Sequence, residues 1–304
     1  MAVRHFITVE DLSVAEFDRV LADAATWKAN GHGTPLAGKS VALIFGKPST
    51  RTRVSFSVGI HQLGGLPLSL SEQELQMRKS ETIEDTARVL SRFVDGIVIR
   101  TFANKDVEDL AAAATVPVVN ALTDDDHPCQ ALADIQTFRE NFADARGRKL
   151  TYLGDGNNVA ASLAEAAAMA GIDMCLSVPA GCDLPSAKME SIAALAARQG
   201  TRFWGERDPV VAAGGASALY TDVWISMGQD DDKDKVAALR PYQVNSALLG
   251  VARPDAIVLH CLPAHRGEEI TDDVMDGPQS RVFDQAENRL HAQKALLAFL
   301  LGAE

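Results

Sequence analysis

The chain has 304 residues, 47% apolar and 23% charged, a globular composition that excludes collagen-like and disordered classes and predicts about two domains at roughly 150 residues each. Its 29 Lys+Arg against 41 Asp+Glu give a formal charge of -12, which argues against a general nucleic-acid binder but not against a local basic pocket for a small anion. No apolar run reaches the ~18 residues that span a bilayer, the first residues lack a signal-peptide core, and Cys129, Cys175, Cys182 and Cys261 form no C-x-x-C pair; a cytoplasmic protein with reduced thiols is the expectation.

In chain order, residues 41–45 form a short apolar run, followed by an amphipathic stretch over 51–63. Residues 97–99 form a second run, preceded by a helical pattern over 83–93. Residues 116–119 come next, before a helical stretch over 130–142. A polar connection at 144–149 suits a domain boundary. Residues 150–153 open a second series, with later strands predicted at 174–178, 201–204, 218–221 and 256–259. Apolar runs alternating with helices read as βαβ units, with parallel sheets buried on both faces. The charge run at 230–235 reads as a solvated loop. The stretch 283–301 is amphipathic and helical, and must dock to be stable.

In open parallel sheets, ligands bind beyond the carboxyl ends of the strands. Each such loop here carries an unusual cluster. After the first run comes Gly46-Lys-Pro-Ser-Thr-Arg-Thr-Arg53. Ser49 and Thr50 suit a helix cap, and Arg51 stands beside it, which makes an anion cradle suited to phosphate. It is not a Walker A loop, whose first glycine would fall at Val41. Arg100 ends the next strand. His127 precedes Pro128, which extends its backbone, and Gln130 follows on the same rim. Zinc at His127 and Cys129 lacks the further ligands that such a site needs.

The second series opens with Gly154-Asp-Gly-Asn-Asn158. A dinucleotide fingerprint needs glycine where Val159 stands, and an acid for the ribose where Val178-Pro179 ends a strand. Asn157 and Asn158 offer donors and acceptors to a polar ligand instead, or form a simple polar turn. Asp222 at a strand end suits a cationic ligand, and Ser226-Met-Gly228 follows. Cys261 lies in His260-Cys-Leu-Pro-Ala264 and reads as a nucleophile, a zinc ligand or a polar contact. Together the clusters suggest a phosphorylated donor on the first half and an amine acceptor on the second.

These segments closely resemble the ornithine carbamoyltransferases. Ser-Thr-Arg-Thr-Arg (49–53), Arg-Thr-Phe (100–102), His-Pro-Cys-Gln (127–130), Gly-Asp-Gly-Asn-Asn (154–158), Asp222 with Ser-Met-Gly (226–228), His-Cys-Leu-Pro-Ala (260–264) and Glu-Asn-Arg (287–289) stand in that family's order. The resemblance implies two doubly wound parallel-sheet α/β domains with the active site in the cleft between them. It implies a carbamoyl-phosphate-binding domain over 1–143, onto which the helix 283–304 packs back, and an ornithine-binding domain over 144–282. The implied reaction joins carbamoyl phosphate and L-ornithine into L-citrulline and phosphate, without metal or organic cofactor. An alternative acceptor is putrescine or N-acetylornithine.

The resemblance further implies that Ser49, Thr50, Arg51 and Thr52 hold the phosphate. Arg100 and His127 polarise the carbamoyl carbonyl, Gln130 binds its amide and Arg289 reaches the donor. Asn158, Asp222, Ser226 and Met227 hold ornithine. Cys261 and Leu262 border the donor and line the δ-amine, so the catalytic group is Arg100, His127, Cys261 and Asp222. Gln76, supplied by a neighbouring subunit, completes each site, which implies a homotrimer or a multiple of one. Two positions depart from the family pattern. Ser57 stands where a glutamate is usual, removing an i,i+4 pair with Arg53 worth ~0.3–0.5 kcal/mol if exposed. Arg78 stands where glycine is common, which bears on the loop around Gln76.

Overall fold

The computed structural model describes residues 3–71, 75, 77, 80–225 and 232–302. The chain divides into two compact units, Met1–Gln136 with Glu287–Glu304, and Thr137–Ala286. Each carries one parallel sheet.

The first unit runs α1 (Val14–Asn30), β1 (Ser40–Phe45), α2 (Thr50–Gln62), β2 (Leu66–Ser71), α3 (Ile83–Leu90), β3 (Gly96–Arg100), α4 (Asn104–Ala113), β4 (Val118–Leu122) and the start of α5 (Pro128–Asn141). Its strand order is β2-β1-β3-β4, with every pair parallel. The apolar runs of β1 and β3 are buried almost throughout because helices cover both faces. Each fully buried Leu or Ile there contributes about 1.5–3 kcal/mol. The edge strand β2 is Leu-Pro-Leu-Ser-Leu-Ser and largely solvated. Pro67 fits an edge, where one face of the backbone makes no ladder bonds, and no strand is legible there in the sequence.

The second unit runs β5 (Lys149–Leu153), α6 (Asn158–Ala170), β6 (Asp173–Ser177), α7 (Ser186–Gln199), β7 (Phe203–Gly205), α8 (Pro209–Ala213), β8 (Ala218–Thr221), α9 (Lys233–Leu239), α10 (Ser246–Val251), β9 (Ile257–His260) and α11 (Asp272–Met275), before α12 (Val282–Leu301) begins. Its order is β7-β6-β5-β8-β9, again parallel. The helix α6 is buried on every side, which its near-continuous alanine run permits.

The units divide inside α12 and inside α5, shortly before the polar connection 144–149. There Arg148 pairs with Asp144 at 2.7 Å, its guanidinium lies over the Phe142 ring, and the chain passes directly into β5. The later part of α12 packs in the first unit. Lys28 Nζ donates to Asn288 Oδ1 at 2.8 Å and Lys294 Nζ to Gln62 Oε1 at 3.0 Å. A Cβ at Gly59 would lie 3.1 Å from Lys294 Cγ, so α2 and α12 approach closely there. The charge run also differs from the solvated loop expected of it. Asp232 caps α9 by accepting from Asp234 N and Lys235 N, and Lys235 pairs with buried Asp155 at 2.9 Å. Among the described residues no helix is long and apolar enough to cross a membrane.

Both sheets reverse their winding direction, the first between β1 and β3, the second between β5 and β8. The crevices beyond the strand ends at these points are where open α/β sheets take ligands.

Candidate active site

In the first unit, β1 ends at the loop that starts α2. Ser49 is the N-cap and accepts from Thr52 N at 3.3 Å, leaving other N–H groups of the first turn directed outward. Thr50 and Arg51 are exposed in that turn, whereas Thr52 is buried. Two buried guanidinium groups converge on the Thr52 hydroxyl. Arg100 Nη1, at the end of β3, donates to it at 3.4 Å, and Arg289 Nη2, from α12, at 3.2 Å. Arg289 Nη1 also donates to Gln130 Oε1 at 2.5 Å, and Gln130 Nε2 donates to Asp134 Oδ1 at 2.7 Å. Ser49, Thr52, Arg100, Gln130 and Arg289 are therefore brought together around one helix N-terminus. The helix dipole and two arginines make that point strongly attractive to an anion.

His127 is buried beside this group. Burial, and then the charges of Arg289 and Arg100, hold its imidazole well below the ordinary range. It is thus a neutral ring at pH 7, able to donate one hydrogen bond without bringing in a third positive charge. Lys47 is a residue that sequence reasoning passed over. It is 7% exposed, pairs with Asp124 after β4, and lies 4.5 Å from the Phe102 ring centroid after β3. One side chain thereby ties the loops that follow β1, β3 and β4. Its signal was a cation two residues before the cap, in Gly46-Lys47-Pro48.

In the second unit, the turn after β5 presents Asn157 and Asn158. Asn157 is the N-cap of α6, its Oδ1 accepting from Val159 N at 3.0 Å and Ala160 N at 3.1 Å. Its Nδ2 donates to Asp222 Oδ2 at 2.8 Å. The other oxygen, Asp222 Oδ1, accepts from the Cys261 thiol at 2.8 Å. Asn157 is therefore held by the protein in one orientation, and half-buried Asn158 stands at the first helical position. The Tyr152 hydroxyl donates to Asn157 Oδ1 at 3.3 Å, and burial, with Asp222, Asp155 and Cys261 nearby, keeps it protonated. The second glycine of the turn makes room for the chain's own backbone: a Cβ at Gly156 would fall 2.4 Å from the Cys182 carbonyl oxygen. That is a physical reason why this glycine-rich turn is not a dinucleotide loop.

Cys261 and Leu262 follow β9 in a braced loop. His260 and Glu269 have fully buried side chains and meet at 3.0 Å. The His260 N–H donates to Gln285 Oε1, the Leu262 N–H donates to His260 Nδ1 at 2.9 Å, and the His265 N–H donates to Glu269 Oε1 at 2.5 Å. Leu262 has φ 60°, a left-handed backbone that a non-glycine residue adopts at a cost. The ligating atoms of Asp222, His260 and Cys261 lie within 4.8 Å of one another, but these hydrogen bonds occupy the thiol and both imidazole nitrogens. Gln76, Ser226 and Met227 lie outside the described residues.

The family model for the aspartate/ornithine carbamoyltransferase carbamoyl-P binding domain matches residues 4–140, and that for the Asp/Orn binding domain matches residues 146–300. An ornithine carbamoyltransferase of Thermococcus kodakarensis is 51% identical over 99% of this chain and 98% of its own length. One of Synechococcus sp. is 53% identical over 100% of this chain and 99% of its own. The structure of an ornithine carbamoyltransferase from Pyrococcus furiosus superposes with a TM-score of 0.96 at 49% identity, covering 100% of this chain and 98% of that one.

Proposed function

This chain belongs to the aspartate/ornithine carbamoyltransferase family, and we propose that it transfers the carbamoyl group of carbamoyl phosphate to the δ-amine of L-ornithine, giving L-citrulline and phosphate. The observation that carries the donor half of this reading is the convergence of Arg100, Arg289 and the N-terminus of α2 on Thr52, with neutral His127 beside them. A dianionic phosphate matches that density of donors. Ser49, Thr50, Arg51 and Thr52 hold the phosphate. Arg100 and His127 direct N–H groups at the carbonyl oxygen, and Gln130 takes the carbamoyl amide.

The acceptor is held by Asn158, Asp222, Ser226 and Met227, with Cys261 and Leu262 at its reacting end. Asp222 supplies the carboxylate that an α-ammonium group or a δ-amine N–H requires. Phosphate is already a good leaving group, so no enzyme nucleophile is needed. The neutral δ-amine attacks the carbonyl carbon, a C–N bond forms, and negative charge gathers on the carbonyl oxygen. Arg100, His127 and Thr52 stabilise that oxyanion; one such donor is typically worth ~3–4 kcal/mol. The attacking nitrogen gives up a proton as the C–O bond to phosphate breaks, and the phosphate leaves with the electron pair and takes up that proton. Fixing both substrates supplies several kcal/mol more.

The same reading makes the enzyme a cytoplasmic homotrimer of arginine biosynthesis, with Gln76 of a neighbouring subunit completing each site. Hybrids of Arg51→Gly and Gln76→Ala chains then recover activity that neither has alone. An acceptor panel with carbamoyl phosphate, read as ureido product, tests the reaction. Ornithine is expected to lead it; a greater kcat/KM for putrescine or N-acetylornithine refutes the assignment.

A further inference from the structure

Asp222 is held from two sides. Its Oδ1 accepts from Cys261 and its Oδ2 from Asn157, each at 2.8 Å. The orientation of the Asn157 amide is fixed by its neighbours. Val159 N–H and Ala160 N–H can only donate, so the atom facing them is the oxygen and the nitrogen faces the carboxylate. The Tyr152 hydroxyl adds a third donor to that same oxygen.

We infer that Asn157 is a positioning residue for the acceptor half of the site, joining the N-terminus of α6 to the carboxylate of Asp222. The inference rests on the reading of Asp222 as an ornithine contact. With its rotamer set by three donors, Asn157 holds one amide N–H on Asp222. Asp222 is thereby turned so that its other oxygen meets the Cys261 thiol. The loop after β8 is registered against the turn after β5 through this amide, and the loop after β9 joins it through the thiol on the same carboxylate.

Two substitutions separate positioning from capping. Asn157→Asp keeps the cap, because Asp and Asn serve nearly equally at that position. It replaces the N–H facing Asp222 with a carboxylate oxygen, and two carboxylates in contact do not both stay ionised. Asn157→Ala removes both functions. In Asn157→Asp the KM for ornithine is expected to rise about 10- to 100-fold, with the acid limb of kcat/KM moved to higher pH and the KM for carbamoyl phosphate little changed. The second readout needs no turnover. Cys129, Cys175 and Cys182 are buried and Cys261 is not, so iodoacetamide reacts with the folded protein at Cys261. The anchored carboxylate engages the thiol in a hydrogen bond that the reagent must displace. In Asn157→Ala that carboxylate is no longer anchored, and alkylation is expected to quicken several-fold. An unchanged ornithine KM in Asn157→Asp, or an unchanged alkylation rate in Asn157→Ala, overturns the inference. A wild-type chain that forms no citrulline would refute the proposed reaction instead, while alkylation would still decide the role of Asn157.

Discussion

Replacing Gly156 with alanine tests how tightly the acceptor-side turn is built. The backbone at Gly156 has no positive φ, so the substitution is a question of space alone. A Cβ there would lie 2.4 Å from Cys182 O, 2.9 Å from Leu184 N and 3.1 Å from Asp183 C, all of them backbone atoms. No side chain can rotate away to relieve this. Restoring ordinary contact requires the 182–184 segment and the turn to part by about 1 Å, a strain of the overpacking kind. That also breaks the 2.8 Å bond from Gly156 N–H to Cys182 O. Overpacking costs about 1–3 kcal/mol and the hydrogen bond about 1 kcal/mol, so Gly156→Ala is expected to cost about 2–4 kcal/mol. At 2–4 °C per kcal/mol, Tm falls by about 4 to 16 °C in calorimetry. Asn157 and Asn158 come next in the chain, so KM for ornithine rises more than KM for carbamoyl phosphate. Gly33→Ala, with nothing within 4 Å of the new methyl, serves as the control and stays within about 0.5 kcal/mol of wild type. A Gly156→Ala protein melting within 1 °C of wild type would refute the packing argument.

Arg51 is exposed, so Arg51→Gly leaves the fold intact and abolishes citrulline formation; turnover near wild type in a protein with an unchanged melt rules out its role on the phosphate. Glu269→Ala strands the His260 ring N–H and the His265 N–H and costs about 2–4 kcal/mol in urea unfolding, whereas Glu269→Gln keeps an acceptor oxygen and costs less; equal losses would mean that the bonds do not matter. Burial holds His5, His127 and His291 below their ordinary value of 6.5. Folding therefore favours the neutral rings, so their stability contribution is complete above pH 6.5 and is lost as pH falls below it. Between pH 8 and 5.5 the urea midpoint of wild type is expected to fall faster than that of His127→Gln; parallel profiles would remove His127 from the account.

The main architecture was legible because buried parallel strands are simple apolar runs: residues 41–45, 97–99 and 150–153 stand out against helical periodicity. Strand β2 was not, because its leucines alternate with proline and serine on a half-solvated edge. The cluster gathered at the N-terminus of α2 was legible as residue types, since Ser49, Arg100, His127 and Gln130 each follow a strand. What the sequence does not carry is which side chains meet. Asn157 and Asn158 look alike in a row, yet the first caps α6 and grips Asp222, 65 positions away. Lys47 looks like a solvated lysine until Asp124 and Phe102 are brought to it by two other strands. The charge run at 230–235 contains a helix cap because Asp232 meets the N–H groups of Asp234 and Lys235. For Asn157 and Lys47 the deciding partner is supplied by the path of the chain and not by residue type, whereas the Asp232 cap is local.

The hydrogen bonds of His260 limit where protons travel. Since the Leu262 N–H can only donate, His260 Nδ1 receives it as a lone pair, and the ring proton resides on Nε2 toward Glu269. Protonating Nδ1 would break the Leu262 contact and release a backbone that already sits at φ 60°. The ring is thus locked in one tautomer and is unsuited to pass a proton from Cys261 inward to Glu269. In the proposed reaction the proton shed by the attacking amine passes instead to the departing phosphate, which becomes basic as the C–O bond breaks.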